Sequence, residues 1–256
     1  MPLADDPQNT TSEMYTQRCG LRLNSAPLNE LVFAAASVAG GTAAQLNREE
    51  RGWRLYLDNI LIKEPWADPT RWHIDTFSFN FDSRMTSSFW ITLDDATERN
   101  GALMFLSGSH IVMGDRDAPF TPAVPQSFNV KDDPATPQTG TPLQHPSSSG
   151  VGGLFEQYPE LAGLEAVAVP VRAGSCIVHN ALTAHAAGAN MTFGRRRALV
   201  LHMMPDHDSR FNGNCGNPFL TEEDKATIVT GDALDESRGD GGRSGFTFPL
   251  VHVGEK

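Results

Sequence analysis

The chain has 256 residues, enough to bury one sizeable core. Its apolar fraction of 39% with 8% aromatics is that of a soluble globular protein. A formal net charge of −11 argues against nucleic acid or an anionic membrane surface as partner, because both need clustered Lys and Arg. Three cysteines, Cys19, Cys176 and Cys215, stand far apart without CxxC spacing, so they offer neither a disulfide framework nor a zinc ribbon and fit a reducing compartment. The opening MPLADDPQNTTSEM lacks the basic stretch and apolar core of a signal peptide, and the longest near-apolar run, 31–44, is too short to span a bilayer. A cytoplasmic location and a small-molecule partner are the expectations.

Taken in chain order, residues 1–13 read as a polar tail. The Ala- and Leu-rich stretch 26–47 predicts one or two short helices, broken near Gly40-Gly41. Strand signals follow at 53–63 (WRLYLDNILIK), 72–81 (WHIDTFSFNF), 87–93 (SSFWITL) and 102–106 (ALMFL), all rich in β-branched and aromatic residues. The stretch 113–153 is dense in Pro, Ser, Gly, Thr and Asp, which predicts a long loop and a candidate active-site lid. Strands resume at 166–171 (AVAVPV), 175–179 (SCIVH), 195–204 (RRRALVLHMM) and 246–253 (FTFPLVHV), with a helix start at 221–229. About eight short strands with few helices predict a mainly β, double-sheet jelly roll in one domain covering 1–256.

The chemistry enters at His73-Ile74-Asp75. In an extended strand, side chains two apart project from one face, so an imidazole and a carboxylate point together. Nitrogen plus oxygen donors suit iron(II), and a second histidine would complete a two-histidine, one-carboxylate set. Among eight histidines an HxD tripeptide arises readily by chance, so it carries little alone. His179 and His185 both lie downstream and compete for the third position. Arg196 follows His185 by eleven residues and could hold a carboxylate by paired, charge-assisted hydrogen bonds. Alternation puts Arg196, Ala198, Val200 and His202 on one face and Arg195, Arg197, Leu199 and Leu201 on the other, and apolar content does not say which faces inward.

Four stretches in order, WHIDTFSF, NGALMFLSGSH, VRAGSCIVHNALTAHAAGANMT and RRRALVLHMMP, resemble the phytanoyl-CoA dioxygenase family of iron(II)/2-oxoglutarate oxygenases. LIKEP and the segment GDALDESRGDGGRSGFTFPLV match loosely, and the likeness covers roughly residues 30–252. The resemblance implies a double-stranded β-helix (a cupin-like jelly roll with flanking helices). It implies that His73, Asp75 and His185 bind iron and act in catalysis. Arg196 would pair with the far carboxylate of 2-oxoglutarate, and Trp90 and Thr92 would line the co-substrate pocket. Asn190 and Thr192 fall at recurring polar positions after the distal histidine. Ala187 departs from the pattern, where the family often has serine.

The activity so implied is oxidation of a small organic metabolite, typically hydroxylation, consuming O2 and releasing succinate and CO2. Desaturation, epimerisation or cyclisation by the same chemistry is the nearest alternative. A metal-poor binding or regulatory protein on the same barrel, or a zinc hydrolase, are readings from other classes. The intact HxD, His185 and Arg196 speak against the first, and the unexplained Arg196 against the second. Related halogenases replace the carboxylate by a small residue, so Asp75 favours oxygenation. For the remaining candidates structural roles are expected: His110 at a turn, His202 and the phenylalanines Phe77, Phe79 and Phe81 in the core, Arg195 and Arg197 in solvent, and Lys63 on the surface.

Overall fold

Runs of β-branched and aromatic residues become strands, and one alanine-rich run becomes the single long helix among the described residues. The computed structural model describes residues 15–114, 153–207, 209–213, 234 and 248–253. In chain order they form β1 (Thr16–Cys19), α1 (Ala26–Asn47), β2 (Trp53–Lys63), β3 (Thr70–His73), β4 (Phe81–Asp82), β5 (Ser87–Thr92), β6 (Leu103–Leu106), α2 (Ser109–Gly114) and α3 (Gly153–Gln157). Then come β7 (Ala166–Val169), β8 (Cys176–Asn180), β9 (His185–Ala187), β10 (Arg196–Pro205), β11 (Arg210–Phe211) and β12 (Leu250–His252). The tail 1–13, nearly all of 113–153 and the helix start at 221–229 lie outside the described residues.

The strands build two antiparallel sheets and a small β4–β11 pair. One sheet runs β1-β2-β10-β5-β8 with β12 also on β2, and the other runs β3-β9-β6-β7. From β2 to β10 the chain crosses repeatedly between the two sheets, which is the winding of a jelly roll. Between the sheets lies a core in which Trp90, Ala198 and Val200 of one pack with Leu103 and Ala187 of the other. The alternate residues Leu199, Leu201 and Met203 face the opposite way and pack under α1 against Val32, Ala36, Ala39 and Ala43. Alternation along β10 therefore assigns one face to the helix and the other to the interior, which is where Arg196 points. No helix among the described residues is long and apolar enough to cross a membrane.

Three expectations need correction. The 26–47 stretch is one continuous helix: Ser25 caps its start, Arg48 ends it in the left-handed region, and the glycines do not interrupt it. Gly40 instead lets the helix approach β12, because a Cβ there would lie 2.9 Å from His252 Cβ. The strand predicted at 72–81 stops at His73, and Asp75–Ser78 forms a 3-10 turn. Phe77 consequently packs with Ile74 and Tyr158, whereas Phe79 and Phe81 pack around Tyr56, so they share no face with the HxD pair. Lys63 is fully buried, because it ends β2 pointing inward.

The two helix glycines differ in a way that can be measured. Gly40→Val should destabilise the protein by about 1–3 kcal/mol through overpacking against β12. Gly41→Ala, whose Cβ would meet His252 no closer than 3.7 Å, should stabilise by up to about 1 kcal/mol through helix propensity. Chemical denaturation of both variants checks the pair.

Candidate metal centre

His73 and His185 are cross-strand partners, and a bulge makes them so. β3 and β9 pair antiparallel with Thr70 opposite Ala187 and His73 opposite His185, three steps on one strand against two on the other. A regular ladder would set Trp72 against His185, and the extra residue re-aims the strand. The imidazole centroids end 4.1 Å apart. Ile74 is still extended, so Asp75, the first residue of the 3-10 turn, returns its carboxylate to the same spot. Asp75 Oδ1 lies 3.8 Å from His73 Nε2 and 3.6 Å from His185 Nε2. One donor atom from each residue falls within 4.8 Å of the others, a spacing that could hold one metal ion.

Both imidazoles are fixed in the tautomer a ligand needs. His73 Nδ1 lies 2.8 Å from the Arg71 carbonyl and His185 Nδ1 lies 3.0 Å from the Thr183 carbonyl. A carbonyl only accepts, so each Nδ1–H donates and each Nε2 lone pair faces the carboxylate. Burial first, and then the neighbouring imidazole for His73, lowers both histidines from 6.5 to about 4. They are neutral near pH 7. Burial would raise the Asp75 carboxyl, but the surrounding imidazoles, His185 foremost, hold it below the ordinary carboxylate range.

The other carboxylate oxygen is held from behind. Ser88 Oγ donates to Asp75 Oδ2 at 2.8 Å and, its proton so used, accepts from His202 Nδ1 at 2.9 Å. His202, a predicted core histidine, thus supports the carboxylate. His179 is not one of the three clustered donors, yet its Nε2 lies 3.9 Å from Asp75 Oδ2 and its ring 4.5 Å from that of His185. His110 is exposed, and the turn bonding expected of it belongs to Ser109, which donates to the Leu106 carbonyl and accepts from Ala184 N–H.

Beyond this cluster the inward-facing residues of the first sheet run in rows. Directly paired residues share a face. His202, Ser88 and His179 form one row, and Val200, Trp90, Asn59 and Ile177 the next. Ala198, Thr92 and Leu61 follow, then Arg196 opposite Lys63. Arg196 is 2% exposed, and its guanidinium carbon lies 5.1 Å from the centre of the Trp90 ring. Arg196 Nε and Nη1, Trp90 Nε1 and Asn59 Oδ1 are buried and have no hydrogen-bond partner among the described residues. Orphaned buried donors are costly, and an interior guanidinium with two of them could donate to an anion. Thr92 is buried on the same face, but its hydroxyl donates to the Asp94 carbonyl.

Asn190 is structural: its carboxamide donates to the carbonyls of Lys63, Glu64 and Gly194 and accepts from Thr192, tying two loops together. Arg195 and Arg197 face solvent and pair with Glu64 and Asp94. Ala187 packs in the interior beside Trp90 and offers no donor. Ser88, Asn59 and Lys63 are the functional candidates that sequence reasoning missed. Their shared signal is a polar residue at an inward position of an otherwise apolar strand. Beside His179, a cavity of about 430 Å3 opens along Phe105, Val169, Ile177 and Thr183.

Two outcomes follow from the site's construction. Ser88→Ala should weaken divalent-metal binding 10- to 100-fold without changing the fold, measured by Mn(II) titration beside circular dichroism. The metal-free protein should lose stability as pH falls from 6.5 toward 4, because the unfolded chain then binds protons at His73 and His185 that the native state refuses. Melting temperature against pH checks the sign, and a flat profile would contradict it.

The sequence matches the family described as phytanoyl-CoA dioxygenase (PhyH) over residues 9–198. The comparison with curated proteins gave no match. Among solved structures, the chain resembles the non-haem alpha-ketoglutarate-dependent carbocyclase SnoK from nogalamycin biosynthesis, at 25% identity and TM-score 0.64, covering 93% of this chain and 76% of that one. It also resembles the epimerase SnoN of the same pathway, solved with Fe3+, alpha-ketoglutarate and nogalamycin RO, at 23% identity and TM-score 0.62, covering 93% and 79%. The likeness to SnoN shows the shared fold, and the family match spans well over half of the sequence. This chain belongs to the phytanoyl-CoA dioxygenase family.

Proposed function

We propose that this protein is an iron(II)- and 2-oxoglutarate-dependent oxygenase that hydroxylates a small, largely apolar organic molecule. The observation that carries this reading is one interior with two ends: three donor atoms within 4.8 Å at one, and a buried guanidinium with orphaned donors further in. A 2-oxo diacid has matching ends, a keto-acid group for a metal and a carboxylate for an arginine.

In this reading His73, Asp75 and His185 hold the iron, leaving about three of its usual six positions to others. When bound, iron with 2-oxoglutarate and O2 supplies the oxidising power to break a C–H bond, with succinate and CO2 as products. The protein's own residues do the positioning. Arg196, braced on Trp90, orients the diacid by its far carboxylate, and the apolar rows of Ala198 and Val200 exclude water around it. Ser88 and His202 hold the Asp75 carboxylate still. The cavity beside His179 receives the substrate. Its lining has no Lys, Arg, Asp or Glu among the described residues, which suits an uncharged molecule better than a phosphorylated or CoA-linked one.

A second reading is favoured by the likeness to a carbocyclase at 25% identity. The same site would then abstract hydrogen and lead to ring closure or epimerisation, the outcome decided by how the substrate lies.

Asp75→Ala should abolish substrate-dependent succinate release, and retained release would sink the assignment. Arg196→Ala should weaken 2-oxoglutarate by about 3–5 kcal/mol, read as the rise in its apparent KM or, on metal-loaded protein, in its Kd.

A further inference from the structure

Lys63 is an uncommon find inside a barrel: it is 0% exposed. It stands directly opposite Arg196 in the β2–β10 register, so both side chains leave the sheet on its inward face. Its Nζ donates to the Asp68 carbonyl at 2.5 Å. Its stem lies against Gly101, which has φ +94° and where a Cβ would come within 2.6 Å of Lys63 Cδ. Room for this lysine is thus built into a neighbouring loop. Charged groups that act on it include Arg196 from β10 and Asp68 from the β2–β3 turn, and Asp94 in turn acts on Arg196.

We propose that Lys63 is the second cation of the anion subsite headed by Arg196, and that it takes up a proton when a distal carboxylate lodges there. This rests on the reading of a 2-oxo diacid as co-substrate. Two buried cations side by side disfavour each other's charge, and an anion between them removes that penalty. Arg196 stays charged near neutrality, lowered by burial only to about 10. Lys63 is the group that yields, pushed down to about 7 by burial and then by Arg196. Near and above pH 7 the empty subsite therefore holds a partly neutral lysine, and the bound subsite an ammonium. Binding then consumes a proton, and affinity falls as pH rises.

The test is calorimetric titration of 2-oxoglutarate into anaerobic Mn(II)-loaded protein, in buffers of differing ionisation enthalpy, at pH 7.0 and 8.5. Close to one proton should be taken up per ligand at pH 8.5, and Kd should rise toward tenfold per pH unit above neutrality. The wild-type comparison with 2-oxopentanoate, which lacks the distal carboxylate, should show neither effect and needs no variant to fold. Lys63→Met should remove the uptake, and Lys63→Arg should keep tight binding at pH 8.5 without it. Equal, buffer-independent heats for both ligands, or uptake that persists in Lys63→Met, would overturn the proposal. If 2-oxopentanoate binds and 2-oxoglutarate gains nothing over it at any pH, the anion subsite itself is refuted; if neither ligand binds, the co-substrate reading falls and takes this inference with it.

Discussion

The site depends on one pairing: β3 against β9, bulged by one residue so that His73 meets His185. Residues directly opposite on antiparallel strands have Cβ atoms about 4.5–5.5 Å apart, which is the separation at which two imidazoles can address one ion. The bulge decides which residue occupies that place. Without it an indole would face His185. The third donor depends on the same strand ending, since the chain must leave the ladder after His73 for Asp75 to turn back beside it. Strand pairing, bulge and 3-10 turn thus act as one device, and the carbonyls of Arg71 and Thr183 fix its two rings.

The rest of the molecule gives that device an interior to face. With α1 covering the outward residues of β10, the inward ones are free to carry function. Those residues grade from polar, at Ser88 and His202 under the carboxylate, through apolar rows at Val200 and Ala198, to cationic at Arg196 and Lys63. Such a gradient is costly for an empty core, because buried polar groups without partners destabilise it. The proposed 2-oxo diacid, an anionic and elongated guest, would remove that cost. The net negative charge of the whole chain does not conflict with this, since Arg196 and Lys63 make a local positive charge inside the protein.

Much of this was legible in the sequence. The jelly roll followed from short β-rich runs, and the family resemblance pointed to the histidine pair, the carboxylate and the arginine on the quoted motifs. Periodicity alone could not choose the inward face of β10, because Leu199 and Leu201 match Ala198 and Val200 in apolarity. Only the long helix lying on one side breaks that tie. The regular strand predicted at 72–81 failed because alternation holds only while pairing continues, and pairing ends at His73. Gly40 and Gly41 looked like breakers because propensity ignores what a helix packs against. Lys63 looked like a surface residue because a charge is usually solvated, and nothing local announced that Gly101, far along the chain, makes room for it.

The central claim is that one metal ion and one 2-oxo diacid share this interior. Anaerobic titration of the metal-free protein with iron(II) and then 2-oxoglutarate tests it most directly, by the visible metal-to-ligand charge-transfer absorption of a chelated keto acid. The expected result is a band that needs both components and saturates at one equivalent of each. Absence of the band with both present at saturating levels would contradict the claim.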